Sequence, residues 1–220
     1  MIELLYRDEH ILVCLKPAGV LAQEGQGQNM PELLRQQLQC PEVYPVHRLD
    51  KAVGGVMVYA LSQKAAAGLS RAVQERTLEK TYLAIACGTM AQEGVWEDLL
   101  FHDKGKNKTY VVDRKRKGVK DAKLSYTVLE EMGAQSLVHI KLYTGRTHQI
   151  RVQFASRKCP LVGDGRYGAG ASGSELGLWS YSLRFAHPVT GEPMFVSHRP
   201  PHTTLWDSFS EKHLQTAHGW

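Results

Sequence analysis

The chain has 220 residues, of which 43% are hydrophobic and 22% are charged, a composition typical of a globular protein. We expect one domain over residues 1–220, since a chain of this length can bury a substantial core. It contains no run of about 18 apolar residues, so no membrane span is expected, and its N-terminus does not have the pattern of a secretory signal. Four widely spaced cysteines without a Cys-x-x-Cys pair predict reduced thiols in a cytoplasmic protein.

Positive charge is concentrated in one segment, residues 104–123. The segment contains nine Lys or Arg and two acidic residues, a net charge of +7; the whole chain carries +5, so the remainder carries −2. One interpretation is a solvated, mobile loop. The other is an arm that contacts phosphates and adds sequence-independent affinity for nucleic acid. We favour the arm, whose centre consists of Arg114, Lys115, Arg116 and Lys117.

Hydrophobic periodicity predicts both strands and helices. In chain order they are a strand over 11–16, a helix over 32–39, a strand over 55–61, a helix over 63–75, strands over 80–87, 123–131 and 136–143, a helix ending near 157, strands over 181–186 and 193–198, and a short helix over 205–209. Pro31, Ser62 and Thr147 are suited to the starts of the first three helices. Because strands outnumber helices and hairpins are common, the pattern predicts an α+β fold with a mixed, mainly antiparallel sheet.

The most informative motif is His47-Arg48-Leu49-Asp50-Lys51, just before the apolar strand over residues 55–61. A lone Asp in such a position is usually a turn former. Two distant stretches favour a chemical role instead: Glu79-Lys80-Thr81-Tyr82-Leu83-Ala84, and Thr144-Gly145-Arg146-Thr147-His148-Gln149-Ile150-Arg151-Val152. Together the three stretches resemble the motifs of the RluA-type pseudouridine synthases, which isomerise uridine in structured RNA.

The resemblance extends over nearly the whole chain, through residues 6–20, 159–168 and 183–192. It implies the pseudouridine synthase fold, a mixed and mainly antiparallel bent β-sheet in two halves flanked by helices, with the catalytic cleft between the halves. The chain starts directly with the catalytic fold and resembles the form without the N-terminal accessory RNA-binding domain. We therefore expect RNA recognition by the catalytic domain itself.

Three catalytic roles follow from the resemblance. Asp50 is the catalytic carboxylate, which acts either as a nucleophile or as a base that removes the 2′ proton. Arg151 matches the arginine that pairs with this carboxylate, a role that suits a planar and permanently charged fork. Tyr82 matches the active-site tyrosine, whose ring can stack on the uracil; a half-buried strand tyrosine is the structural alternative.

RNA contacts are predicted for a second group of residues. The reacting uridine must leave its stack, and Arg48 is the candidate to fill the gap, with a phosphate contact as the alternative. Lys80 and Arg146 are assigned to phosphates, together with the basic segment. His47 and His148 adjoin the catalytic motifs, and we expect them to orient loops by hydrogen bonding rather than to transfer protons.

The sequence departs from the family pattern at two places. Val53-Gly54 stands where relatives commonly have Thr-Ser, which removes two hydroxyls near Asp50, and Gln153 stands where relatives often have His. The first change bears on the RNA substrate more than on the reaction. The substrate RNA could be a stem-loop of tRNA or a hairpin of large-subunit rRNA.

The predicted isomerisation requires no oxidation and no external group, so we expect neither a metal nor a nucleotide cofactor, and we expect a monomer. One alternative is a catalytically silent RNA-binding or RNA-folding protein on the same fold. The other is a metal-dependent hydrolase, suggested by ten histidines. No His-Glu-x-x-His or comparable ligand spacing supports the hydrolase.

Overall fold

The computed structural model describes residues 1–168 and 174–215. Within these ranges the chain forms eleven strands and four helices. They are β1 (Leu4–Arg7), β2 (Ile11–Lys16), α1 (Met30–Leu38), β3 (Tyr44–Pro45), β4 (Gly54–Ala60), α2 (Gln63–Glu75), β5 (Glu79–Cys87), β6 (Glu93–Asp103), β7 (Lys108–Val112), β8 (Val119–Met132), β9 (Gln135–Leu142), α3 (Gln149–Ser156), β10 (Leu178–Ala186), β11 (Pro193–Ser197) and α4 (Glu211–Gln215).

The chain divides into two compact units. Unit 1 contains residues 1–80 and 179–198, and unit 2 contains residues 81–178 with the residues from Arg199 onward. The first boundary therefore falls inside β5, and the second falls at the start of β10. A single domain over residues 1–220 stays a prediction.

Unit 1 has the strand order β1-β2-β4-β10, with β3 paired to β4 and β11 paired to β10. The β4–β10 pair is parallel, and the other pairs of this unit are antiparallel. One apolar face of this sheet packs against α2 in a buried core of Ile11, Val13, Val56, Val58, Ala60, Ala65, Leu69, Leu78, Leu183 and Phe185. Burial on this scale is the main stabilising contribution to such a unit.

Unit 2 has the strand order β5-β9-β8-β6-β7. The pairs β6–β7, β6–β8 and β8–β9 are antiparallel. Helix α3 packs on this sheet, and the ring of Phe154 meets the rings of Trp96 and Tyr126 at centroid distances of 4.7 and 6.0 Å. The prediction of a mixed, mainly antiparallel α+β fold is confirmed.

Helix α2 begins and ends where the sequence predicts, and the Ser62 hydroxyl accepts a hydrogen bond from the N–H of Ala65 at 3.3 Å. Helix α1 begins two residues earlier than predicted, because the side chain of Asn29 caps it through the N–H of Glu32 at 3.1 Å. The capping role predicted for Thr147 is wrong. The N-cap of α3 is His148, with left-handed backbone (φ 55°) and no side-chain cap.

The predicted helix over residues 205–209 is wrong as well: this segment forms turns, and α4 follows it. No helix in residues 1–168 and 174–215 is both long enough and apolar enough to cross a membrane.

Candidate active site

Asp50 lies in the turn that leads into β4, in unit 1. The N–H of Val53 donates to the carbonyl of Asp50 at 3.0 Å, and the N–H of Gly19 donates to the carbonyl of Lys51 at 2.8 Å. Asp50 is half-buried, whereas Arg48 is exposed. The turn therefore fixes the backbone of Asp50 and leaves Arg48 accessible to a ligand.

A buried lysine supports this turn from the end of β2. The ammonium of Lys16 donates to the carbonyls of Pro17, Val20 and Lys51 at 2.8, 2.7 and 3.3 Å, and its side chain is fully buried. Burial lowers the pKa of Lys16 to about 8, and the negative charge of Asp50 opposes that shift. The sequence contains Lys16 in a family-like stretch, but only the fold shows that it holds the Asp50 turn.

His47 makes a hydrogen bond of the kind expected of a residue that orients a loop. Its Nε2 accepts a hydrogen bond from the N–H of Val58 at 3.1 Å, which ties the start of the motif to β4. Burial, assisted by the positive charge of Lys80, lowers the pKa of His47 to about 3. The ring is therefore neutral near pH 7, and its Nδ1 is buried without a hydrogen-bond partner among the described residues.

Arg151 lies on α3 in unit 2 and forms a bidentate ion pair with Asp164. Its Nε and Nη2 donate to the two carboxylate oxygens of Asp164, each at 2.7 Å. Burial alone would raise the pKa of Asp164; the bonds and charge of Arg151, with the N–H groups of Arg166 and Tyr167, outweigh burial and hold the pKa below its ordinary value. The Nε–Nη2 edge of the Arg151 guanidinium is thus bonded to Asp164. Pairing of the other edge with Asp50 stays a prediction.

Sequence reasoning missed the role of Asp164. It follows a tight turn at Gly163, where φ is +72° and a Cβ would lie 1.8 Å from the carbonyl oxygen of Glu175. A glycine next to a carboxylate is the one sequence signal that marks Asp164, and it does not identify Arg151 as the partner of that carboxylate. Only the fold brings Asp164 to an arginine 13 residues away.

Tyr82, Lys80 and Arg146 occupy different settings. Tyr82 is buried in β5, with 6% of its surface exposed. Lys80 is the second residue of the same strand, and burial lowers its pKa. The Nε of Arg146 donates to the carbonyl of Asp121 at 2.9 Å, so this arginine is anchored to β8. The RNA contacts assigned to Lys80 and Arg146 stay predictions.

The basic segment is ordered rather than a solvated loop, and its strand β7 forms an antiparallel hairpin with β6. It contains all of β7 and the start of β8. These two strands pair with β6 along its two opposite edges. In the connecting turn Arg114 and Lys117 are exposed, while Lys115 pairs with Asp121 at 3.0 Å and Arg116 lies over the ring of Phe101. We call residues 104–123 the basic hairpin.

The histidines were the reason to consider a metal-dependent hydrolase. In residues 1–168 and 174–215 no group of three or more His, Cys, Asp or Glu side chains has an arrangement that could hold a metal ion. Hydrogen bonds to the protein engage several of the buried histidines: Nδ1 of His187, for example, accepts from the N–H of Thr190 at 3.1 Å.

Comparisons with known proteins agree with these motifs. The family model described as RNA pseudouridylate synthase matches residues 10–156. The ribosomal large subunit pseudouridine synthase D of Xanthomonas campestris pv. campestris is 34% identical over 219 residues, covering 89% of this chain and 65% of that protein. The dual-specificity RNA pseudouridine synthase RluA of Yersinia pestis is 35% identical over 196 residues, covering 86% of this chain and 95% of that protein.

A solved structure is similar as well. The human RNA pseudouridylate synthase domain containing 1 has a TM-score of 0.77 and 26% sequence identity, covering 94% of this chain and 87% of that chain. The chain spans 65% and 60% of the length of the synthase D relatives from Xanthomonas campestris and Nitrosomonas europaea. By its motifs, its fold and these similarities, the chain belongs to the RNA pseudouridylate synthase family as an RluA-type member.

Proposed function

We propose that this chain isomerises uridine in structured RNA to pseudouridine, with Asp50 as the catalytic carboxylate. The observation that carries the proposal is the half-buried carboxylate of Asp50 on a turn that the buried ammonium of Lys16 clamps. Membership of the family supports the reaction class.

The reaction breaks the N1–C1′ bond of uridine and forms a C5–C1′ bond. The base loses a proton from C5 and gains one at N1, so atoms and electrons balance without an oxidant or a donor group. A carboxylate near the sugar can attack C1′ as a nucleophile or remove the proton at C2′, and Asp50 is assigned this step. A fixed turn favours either route, because a misplacement near 1 Å costs on the order of 100-fold in rate.

Other side chains are proposed to bind and orient the uridine. The base must leave its stack before it can react, and exposed Arg48 is suited to enter the gap. Tyr82 is proposed to stack on the uracil. Arg151, whose Nε–Nη2 edge Asp164 holds, is proposed to direct its second edge at Asp50.

The proposed partner is a structured RNA, either a tRNA stem-loop or a hairpin of large-subunit rRNA. Lys80, Arg146 and the basic hairpin are proposed to contact its phosphates, which would supply affinity without sequence readout. We further propose that the protein acts as a monomer in the cytoplasm, without a metal or nucleotide cofactor.

Pseudouridine mapping in a strain that lacks this protein tests the proposal and identifies the RNA. We expect one or a few uridines in tRNA or large-subunit rRNA to lose modification, and the wild-type gene to restore them. The Asp50→Asn gene should not restore them, whereas Glu75→Gln, which removes an exposed carboxylate at the end of α2, should. Full restoration by Asp50→Asn would favour the catalytically silent RNA-binding protein on this fold.

A further inference from the structure

Tyr167 connects the basic hairpin to the start of α3 through one hydroxyl. This oxygen accepts a hydrogen bond from the N–H of Thr109 in β7 at 2.8 Å. It also lies 3.0 Å from Nδ1 of His148, the N-cap residue of the helix that carries Arg151. Burial raises the pKa of Tyr167, so the group stays a neutral hydroxyl that can accept one bond and donate the other.

The ring and the backbone N–H of Tyr167 also contact the Arg151–Asp164 pair. Its ring centroid lies 5.3 Å from Cζ of Arg151, within the range of a cation–π contact. Its backbone N–H donates to Oδ1 of Asp164 at 3.1 Å, the same carboxylate that holds the Nε–Nη2 edge of the guanidinium. Tyr167 and Asp164 therefore restrain Arg151 on a face and on an edge.

Further contacts tie the basic hairpin to this network. The buried hydroxyl of Thr109 donates to the carbonyl of Thr147 at 2.8 Å, just before α3. The guanidinium of Arg166, the residue before Tyr167, donates to the carbonyl of Asn107 at 3.0 Å. The ammonium of Lys108 lies 5.4 Å from the ring centroid of Tyr167. A displacement of β7 would therefore shift Tyr167 and, through its contacts, Arg151.

We infer that Tyr167 is a positioning residue: its hydroxyl couples the basic hairpin to the guanidinium of Arg151. The inference rests on the proposed function, in which the hairpin contacts RNA and Arg151 orients Asp50. RNA on the hairpin would then favour the arrangement of Arg151 needed for the reaction. The hydroxyl is separable from packing, because the ring makes the apolar contacts with Leu100, Ala122 and Val152.

The first test is Tyr167→Phe, which removes the hydroxyl and keeps the ring. With in vitro transcribed tRNA and large-subunit rRNA fragments, the single-turnover rate at saturating RNA should fall about tenfold, while the Kd for RNA stays within about twofold. Tyr6→Phe, which removes an exposed tyrosine hydroxyl in β1 away from the proposed site, is the matched control and should leave both values unchanged. A wild-type rate for Tyr167→Phe, or weakened RNA binding as its only defect, would overturn the inference.

A double variant shows whether the hydroxyl acts through Arg151. If it does, adding Tyr167→Phe to Arg151→Lys should slow the reaction little beyond Arg151→Lys alone, since both changes act on one guanidinium. Multiplicative losses would overturn the inference. Wild-type activity in the same assay reports separately on the proposed function.

A second measurement, by NMR, does not require the protein to modify RNA. The Nε–H of Arg151, observed by nitrogen–proton NMR and assigned by its loss in Arg151→Lys, should exchange slowly with solvent because it donates to buried Asp164. In Tyr167→Phe this exchange should accelerate by about fivefold or more, while that of the Arg146 Nε–H, which donates to Asp121, stays constant. Unchanged exchange at Arg151 would overturn the inference even if the wild-type protein modified no RNA.

Discussion

Gly54 and Trp179 fit together so tightly that only glycine is accommodated. A Cβ at Gly54 would lie 2.5 Å from Cζ3 and 3.1 Å from Cε3 of the Trp179 ring. The ring is buried and fixed, since its Nε1 donates to the carbonyl of His198 at 2.8 Å. The glycine at position 54 is therefore explained by the large side chain on the neighbouring strand.

Gly54→Ser should destabilise the protein by about 1–3 kcal/mol, as overpacking in a closed site usually does. In a Trp179→Phe background the same substitution should cost much less, because the clashing ring atoms are gone. Urea unfolding of the four proteins in this cycle measures the coupling. Gly105→Ser, in an exposed turn, is the control; equal costs in both backgrounds would contradict the pairing.

Lys16 should give the protein a specific alkaline pH dependence. Its folded pKa of about 8 lies below its ordinary 10.5, so between these values the unfolded state binds more protons and the free energy of unfolding rises with pH. Lys16→Met lacks this contribution. The difference in unfolding free energy, wild type minus Lys16→Met, should therefore increase from about pH 8 to about pH 10.5, and a decrease over this window would contradict the burial of the ammonium.

His47 should make the fold sensitive to acid. Its folded pKa is about 3 and its ordinary value is 6.5, so on acidification the unfolded state takes up a proton that the folded state does not. The stability advantage of wild type over His47→Gln should be full above pH 6.5 and shrink as the pH falls towards 3. His202→Gln removes an exposed histidine as the control. A constant advantage between pH 7 and pH 4 would argue against a neutral, buried His47.

The basic hairpin should contribute phosphate contacts. Arg114→Glu with Lys117→Glu should weaken RNA binding across sequences and reduce the slope of log K against log salt, by roughly one for each phosphate that the protein no longer neutralises. The double variant leaves Lys115 and Arg116 unchanged, because these two side chains contact Asp121 and the ring of Phe101. Lys64→Glu with Arg71→Glu changes the charge equally on exposed α2. If both pairs lower the slope alike, the effect is one of net charge and not of the hairpin.

How much the sequence predicts depends on whether the cause is local. Ser62 and the apolar spacing of α2 are local signals, and they predict that helix correctly. The strands β6 and β7 were not predicted: β7 lies in the charged segment over residues 104–123, and pairing between the two strands orders them. The start of α3 was misplaced because Gln149, and not Thr147, closes the preceding loop: its Oε1 accepts from the N–H of Arg146 at 3.0 Å.

The site shows the same division. The motif resemblance predicts Asp50 and Arg151 as candidates, since each stands in a recognisable stretch. The supports of these residues are distant in sequence: Lys16 bonds the carbonyl of Lys51, 35 residues away, and Asp164 bonds Arg151 across a helix and a turn. Such partners depend on chain topology, so a pattern along one sequence does not identify them.

The central claim is that Asp50 performs the chemistry on uridine, and Asp50→Asn tests it most directly. The amide has nearly the same shape but carries no charge, so it serves as neither nucleophile nor base. On the RNA identified by mapping, the single-turnover rate of pseudouridine formation should fall by at least about a thousandfold, with RNA affinity within about twofold of wild type. Glu75→Gln, on exposed α2, should retain the wild-type rate. A rate for Asp50→Asn within tenfold of wild type would contradict the account.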